Sequence, residues 1–581
     1  MSKKYSLFIL LSASALAFGQ SKLGPELQTS DLKGNVHIIV QFDQDPGDAH
    51  HQKVISRGGS WRGTLHSVKG GAYSVPAAAI AELAKDPSVV HISQDHKIFA
   101  KNDYATAATN ATIAWQQFGV DGTGIGVAVL DSGISQHGDL AGKGSTQRVV
   151  YTQDFVNGDG QDRYGHGQHI AGIIAGNGAD SECAKCVRKL KGMAPGANLI
   201  NLRVLDQNGE STDSTIISAI DTAISLKKTY NIRVMNLSLG RPVFESYKLD
   251  PLCQAVEAAW KAGIVVVVAA GNEGRDNTAG NEGYGTITSP ANDPFVITVG
   301  AMKSMGTYDR TDDLIASYSS KGPTLVDNIV KPDIVAPGNK IVSLLASPKV
   351  TLASEYPQDL IPVSYYDGSN SNSKSALYYA LSGTSMAAAV VSGAVADLLQ
   401  AQPYLSPDQV KARLMRTAYK TFPQSSVAVD PVTGISYVSY YDIFTVGAGY
   451  LDLAAALQSK DLAFGNAMSP YATFNSLTNK VYLVYNPLST WGLASLFGQA
   501  NSFAQSAVWG ANAVWGTTVV NADRSLWSES AVWGMSSSWG ASAVWGASLL
   551  NAERSLWSES AVWGAATQQS EGPPITVLGE Q

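Results

Sequence analysis

The sequence predicts an α/β fold, a mostly parallel sheet with helices on both faces, across residues 105–460. Short apolar runs rich in valine and isoleucine recur there: GIGVAVLD, ANLINLRVL, RVMNLSLG, GIVVVVAAGN and FVITVGAM. Helical segments such as STIISAIDTAISLKKT lie between several of them. The runs are short and mostly apolar and alternate with helical segments, as expected of a parallel sheet covered by helices on both faces. In such sheets functional groups collect at the C-terminal ends of the strands, where Asp131, Gly240 and Asn272 fall.

The chain opens MSKKYSLFILLSASALAFGQS. A basic start at Lys3 and Lys4, an apolar stretch and small residues up to Gly19 read as a secretory signal peptide over 1–19. No later stretch reads as long and apolar enough to span a bilayer, so the mature chain is expected to be exported without a transmembrane helix. Charged residues make up 15% and the net charge is −7, with no basic patch, which argues against a nucleic-acid partner. Three cysteines do not make a disulfide-built scaffold. Cys183 and Cys186, in CAKC, are placed to form a small disulfide, and Cys253 reads as a buried helix residue.

Between 20 and 104 the pattern is different. NVHIIVQFD, SWRGTLHSVKGGAYSVP and VVHISQDHKIFA read as strands, and DAHHQKVISRGG and AAAIAELAKDPSV as helices. The order βαββαβ is the ferredoxin-like α+β arrangement. Residues 101–112 read as a linker.

After a connecting segment, 461–505, a tryptophan-glycine repeat occupies 506–565, followed by a tail, 566–581. NADRSLWSESAVWG (521–534) returns as NAERSLWSESAVWG (551–564). The tryptophans at 509, 515, 527, 533, 539, 545, 557 and 563 are separated by multiples of six, with Asn521 and Asn551 in the skipped slots. On a helix, at about 100° per residue, a step of six scatters them to three sides. On a strand six is even, so all share one face, and a β-type repeat is favoured.

The stretch LSGTSMAAAVVSG (381–393) places Ser385 in a tight turn before a helix of very small residues. Serine and threonine also cap helices, so the turn alone does not make a nucleophile. A nucleophilic serine needs a base. All nine histidines precede residue 170, and only His137, His166 and His169 follow the linker. His166 and His169 lie in YGHGQHIAGIIAG, at the start of an apolar helix. A base is oriented by a carboxylate, and Asp131 ends the apolar strand GVAVLD, where an unpaired charge is costly.

These residues resemble the subtilisin-like serine proteases, the subtilases. The resemblance rests on VLDSGI around Asp131, GHGQHIAG around His166, AAGNEG around Asn272 and GTSMAAAVVSG around Ser385, with KGMAPGANL, NLSLG and KPDIVAPG in support. It implies a subtilisin-like fold and a serine endopeptidase acting on protein or peptide substrates. Ser385 would be the nucleophile, His166 the base, Asp131 its orienting carboxylate and Asn272 an oxyanion donor. Ser238, Leu239 and Gly240 would pair with an extended substrate, and Ala269 and Gly271 would wall the pocket beside the scissile bond. Residues 20–104 would be the inhibitory propeptide of a zymogen, released by self-cleavage within 100–107.

No cofactor is expected for catalysis. Asp139 resembles a family calcium ligand, which would serve stability, but the loop that usually supplies the other ligands is replaced by NGADSECAKCVRKLKG (177–192). Ala389 stands where many relatives have proline, and Gln168 where threonine is usual. Alanine is the better helix former, so the helix should survive. The alternative reading is an exported adhesive or assembly protein whose tryptophan repeats bind, with the protease domain secondary.

Overall fold

The computed structural model describes residues 22–24, 27, 34–95, 104–142, 146–278, 281–431, 433–475, 480–490, 519–520 and 580. The signal segment and nearly all of the tryptophan repeat therefore lie outside the described residues. The chain divides into two units, 1–99 and 100–581.

In the first unit, β1 (Asn35–Phe42), β2 (Ser60–Leu65), β3 (Gly70–Pro76) and β4 (Val89–Gln94) form an antiparallel sheet in the order β2-β3-β1-β4. Helices Asp48–Ile55 and Ala77–Ala84 complete the βαββαβ order. β1 shows why one face closes: Val36, Ile38, Val40 and Phe42 are buried, and the residues between them are not. They meet Val54, Tyr73, Ile80, Leu83 and Ile92 in one core.

In the second unit, β5 (Gly126–Asp131), β6 (Val149–Asp154), β7 (Asn198–Arg203), β8 (Ile232–Leu237), β9 (Val265–Ala269), β10 (Ile297–Lys303), β11 (Leu314–Ile315) and β12 (Ile334–Pro337) form one sheet. Its order is β11-β10-β9-β8-β5-β7-β6, with β12 also on β10. Every pairing is parallel except β10 with β11. Every residue of β5 and of β9 is buried, so both faces are covered, as their unbroken apolar sequence requires. Two helix pairs do the covering: His166–Ala175 with Thr384–Ala401, and Asp213–Tyr230 with Pro251–Lys261.

Three expectations change. Thr384–Ala401 has 18 residues and the composition of a membrane span, contrary to the reading that no such stretch follows the N-terminus. It is 89% buried inside the unit, where it serves as the central core helix. Its small side chains explain this placement: a Cβ added at Gly393 would lie 2.4 Å from Met193 Cβ. Ala389 sits within the helix, fully buried.

The supposed linker is half helical. Tyr104–Ala108 and Ala111–Phe118 are helices with Ala105, Thr106, Ala108, Ala111 and Ala114 buried, and Trp115 Nε1 donates to Met193 O at 2.9 Å. Short alanine runs without large apolar residues gave little periodicity to read. The segment from 461 also begins within the second unit, because Lys411 Nζ donates to Ser469 Oγ at 2.9 Å and Val330 N to Pro470 O at 2.8 Å. Cys183 and Cys186 are joined, and Cys253 is buried in its helix.

Candidate active site

The order β9-β8-β5 brings the ends of three strands side by side. Asp131 is the last residue of β5, Ser238 follows β8, and Asn272 lies three residues past β9. Asp131 is 1% exposed. Its Oδ1 accepts the Ser132 N–H at 2.8 Å and faces His166 Nδ1 at 2.8 Å. Its Oδ2 is buried with no hydrogen-bond partner among the described residues.

His166 opens the His166–Ala175 helix and is itself buried. Burial alone would favour the neutral imidazole. The charge and hydrogen bond of Asp131, with Asp162 behind, outweigh it and raise the His166 pKa above the ordinary histidine value. His169, one turn on, has a different fate. Its Nε2 lies 2.9 Å from Ile341 O and its ring meets Tyr379 edge-on. Burial, with His166 nearby, lowers its pKa to about 3, which keeps it neutral. His137 Nε2 lies 3.2 Å from Leu377 O. Of the three histidines that follow the linker, only His166 meets Asp131.

Two residues that the sequence reading did not single out hold this pair. Ser132 Oγ donates to Asp162 Oδ1 at 2.9 Å and accepts the Gly167 N–H at 2.8 Å. Asp162 also accepts the N–H groups of Tyr164, Gly165 and Gln168. The end of β5 is thereby tied to the first turn of the histidine helix. Burial raises the Asp162 carboxyl to about 6 despite these donors. Gln168, the departure from threonine, accepts the Ser135 N–H at 2.7 Å through Oε1. The available signal was position alone: buried polar side chains flanking Asp131 and His166 must find partners.

Ser385 is the second residue of the Thr384–Ala401 helix. Gly383 ahead of it has φ +151°, a conformation that favours glycine. The helix N-terminus aims its positive dipole end at this turn. The Ser385 hydroxyl donates to Ser238 O at 3.3 Å. No hydrogen bond joins it to His166 among the described residues, so the expected serine–histidine bond is not made in this rotamer. Such contacts often close only around a substrate.

Asn272 is held through its oxygen, with Thr384 N–H donating to Oδ1 at 2.9 Å and Thr384 Oγ1 at 3.1 Å. Its Nδ2 donates to no described residue, so the donor end of the amide is left for another acceptor. Thr384, unremarked in the sequence, is thus the link between the oxyanion candidate and the serine turn.

The predicted substrate segment divides. Ser238 and Leu239 are buried, and Gly240 is partly exposed. Ser238 Oγ is engaged internally: it donates to Ser385 O and accepts from Asn236 Nδ2, both at 2.9 Å. The backbone of this stretch lies past the end of the β5–β8 ladder at Leu237. Ala269 is a fully buried ladder residue opposite Val299. Gly271, at φ +116°, exchanges hydrogen bonds with Thr384 Oγ1 at 3.2 Å.

Asp139 lies near His137 and Asp180, their donor atoms all within 4.8 Å of one another. Calcium takes six to eight oxygen ligands. Here one of three candidates is an imidazole, and Asp139 is already occupied by the Tyr378 hydroxyl at 2.8 Å and the Asp180 N–H at 2.7 Å. The residues present do not make a calcium cage.

Asp131 and His166 meet at 2.8 Å at the C-terminal end of β5, and the Ser385 hydroxyl reaches Ser238 O just past the end of the neighbouring β8, an arrangement that suits a serine hydrolase. The sequence model of the Subtilase family matches residues 122–442. The chain is 37% identical to serine protease AprX of Bacillus subtilis over 348 residues, 58% of this chain and 71% of that protein. It is 32% identical to subtilisin E of the same species over 417 residues, 71% of this chain and 92% of that protein. Over 361 residues it is 32% identical to the extracellular serine proteinase of a Thermus strain, 60% of this chain and 70% of that protein. The chain belongs to the subtilase family and is a serine endopeptidase acting on peptide or protein substrates.

Proposed function

We propose that the chain is exported as a zymogen and hydrolyses peptide bonds through Asp131, His166 and Ser385. The observation that carries the reading is the buried His166–Asp131 contact at 2.8 Å, at the strand ends where Ser385 and Asn272 also lie. Ser385 Oγ attacks the peptide carbonyl carbon while His166 Nε2 takes its proton. Asp131, on Nδ1, holds the imidazole in the tautomer that leaves Nε2 free, and stabilises the imidazolium. The carbonyl oxygen, now negative, is met by Asn272 Nδ2 and the Ser385 N–H. His166 then protonates the leaving amine, and water repeats the sequence on the acyl-enzyme. No step calls for a metal. Asn272→Ala should lower kcat about 10²–10³-fold, a range that subtilisin's own oxyanion asparagine helped to set.

The main chain of Ser238–Gly240 would pair with an extended substrate, which favours tolerance of many side chains. Residues 20–104 would act as the inhibitor made in cis. The cut would fall before Tyr104, because Ala105, Thr106 and Ala108 are buried in a helix and a protease needs extended chain. Export is supported by the N-terminal pattern of a signal peptide.

The test compares residues 20–581 with a Ser385→Ala version by intact mass over time. The parent should lose its N-terminal unit by a cut before Tyr104 while the variant stays whole. Two chains that both stay whole would contradict the reading.

A further inference from the structure

Glu580 lies beyond the tryptophan repeats in sequence, yet it is 4% exposed within the second unit. The pocket around it is assembled from four parts of the fold. Arg275 comes from the loop after β9, Lys303 is the last residue of β10, Ser317 follows β11 and Asn339 follows β12. All four are buried.

The Glu580 N–H, carbonyl and Oε1 all have hydrogen-bond partners, and Oε2, which has none among the described residues, faces an ammonium. Its Oε1 accepts from Arg275 Nη2 at 2.9 Å and from the Ser317 N–H at 2.8 Å, and the Ser317 hydroxyl also donates to it. Its Oε2 lies 3.4 Å from Lys303 Nζ. One side chain grips its backbone on both sides: Asn339 Oδ1 accepts the Glu580 N–H at 2.8 Å, and Asn339 Nδ2 donates to the Glu580 carbonyl at 3.0 Å.

The pocket is built rather than incidental. Arg275 Nη1 pairs with Asp430 at 3.0 Å, and the Tyr437 ring lies 4.5 Å from its guanidinium, so the fork that meets Glu580 is fixed from behind. Arg275 and Lys303 bring two positive charges. Asp430 supplies one negative charge and Glu580 the second. Burying such a set without its last carboxylate is costly. Paired amide bonds to the backbone select a peptide, and the cationic end selects a glutamate side chain.

We propose that this pocket is a recognition site for a glutamate in a peptide chain, filled in cis by Glu580. Among the described residues of this stretch, Val519 and Val520 pair with the strand Lys480–Val484, and Glu580 is then a further point of attachment to the catalytic unit. This use is separate from the catalytic residues and does not rest on the proposed peptide cleavage.

The test uses the full chain carrying Ser385→Ala, which prevents self-digestion. Unfolding equilibria and amide exchange are compared for the parent, Glu580→Gln, Arg275→Met and the double variant. Glu580→Gln should raise the unfolding constant about 10- to 100-fold, the worth of charged hydrogen bonds. It should also speed exchange at the Ser317 N–H. In the Arg275→Met background the same change should have an effect of about threefold or less, because the pair is already broken. Equal effects in both backgrounds, or unchanged Ser317 exchange, overturn the proposal. Should Arg275→Met not fold, the Glu580 N–H decides: slow exchange in the parent, released by Asn339→Ala, is expected. Open-chain exchange at Glu580 in the parent overturns it.

Discussion

Asp131, at the C-terminal end of β5, and Asp333, just before β12 at the opposite end of the same sheet, are both buried carboxylates, and the fold treats them in opposite ways. Asp333, at 0% exposure, is fully partnered. Lys331 Nζ lies 2.7 Å from Oδ2 and Lys411 Nζ 3.1 Å from Oδ1, while Ser469 Oγ and the Thr298 N–H also donate to it. Burial opposes its ionisation, but the two ammonium groups outweigh this and hold its pKa below the usual carboxylate range. Asp131 keeps one oxygen without a hydrogen-bond partner among the described residues, and its other oxygen faces His166, which takes and returns a proton in the proposed mechanism. A buried charge with every partner in place is structural. One left with a titrating partner is available for chemistry.

Removing the reacting groups gives the largest effect. Ser385→Ala or His166→Ala should cut kcat by about 10⁶, the scale of loss that the relative subtilisin itself shows, with the fold retained. Asp131→Asn should follow at about 10⁴, because the wrong imidazole tautomer is then held toward Ser385. Circular dichroism alongside peptide hydrolysis checks both: an Asp131→Asn protein that is folded but fully active would remove the contrast.

Asp333→Asn should do the reverse. Leaving Lys331 and Lys411 without their carboxylate should cost about 3–5 kcal/mol of stability, read by denaturant unfolding, while kcat per folded molecule stays unchanged. The smallest effect is in pH. The raised pKa of His166 sets the acid limb of kcat/KM above about 6.5, and Asp131→Asn should move that limb down. The stability linked to His166 is complete below about pH 6.5 and fades as pH rises through its folded value, so activity and this stability term run oppositely. The depressed pKa of Asp333 contributes stability above about pH 4, lost as pH falls through its folded value.

Much of this was legible in the sequence. The valine and isoleucine runs give the parallel sheet, because strands buried on both faces need unbroken apolar residues. The motifs around Asp131, His166, Asn272 and Ser385 stand out in the sequence because each lies at or just past the end of a strand or in the first turn of a helix. Asp162, Ser132 and Thr384 were not, since their partners lie across turns that only the folded chain closes. The helix at Tyr104–Ala108 was missed because alanine carries little pattern. The membrane-span length and composition of the core helix Thr384–Ala401 are hard to see in the sequence because its residues are mostly small. The cation cluster around Asp333 and the seating of Glu580 join residues far apart in sequence, which no local pattern announces.

The most direct test of the central claim is covalent labelling of the cleaved chain with a serine-directed sulfonyl fluoride, followed by peptide mapping. The account predicts one adduct, on Ser385, whose formation slows sharply in His166→Ala and as pH falls through the His166 pKa. An adduct on another residue, or equal labelling without His166, would contradict it.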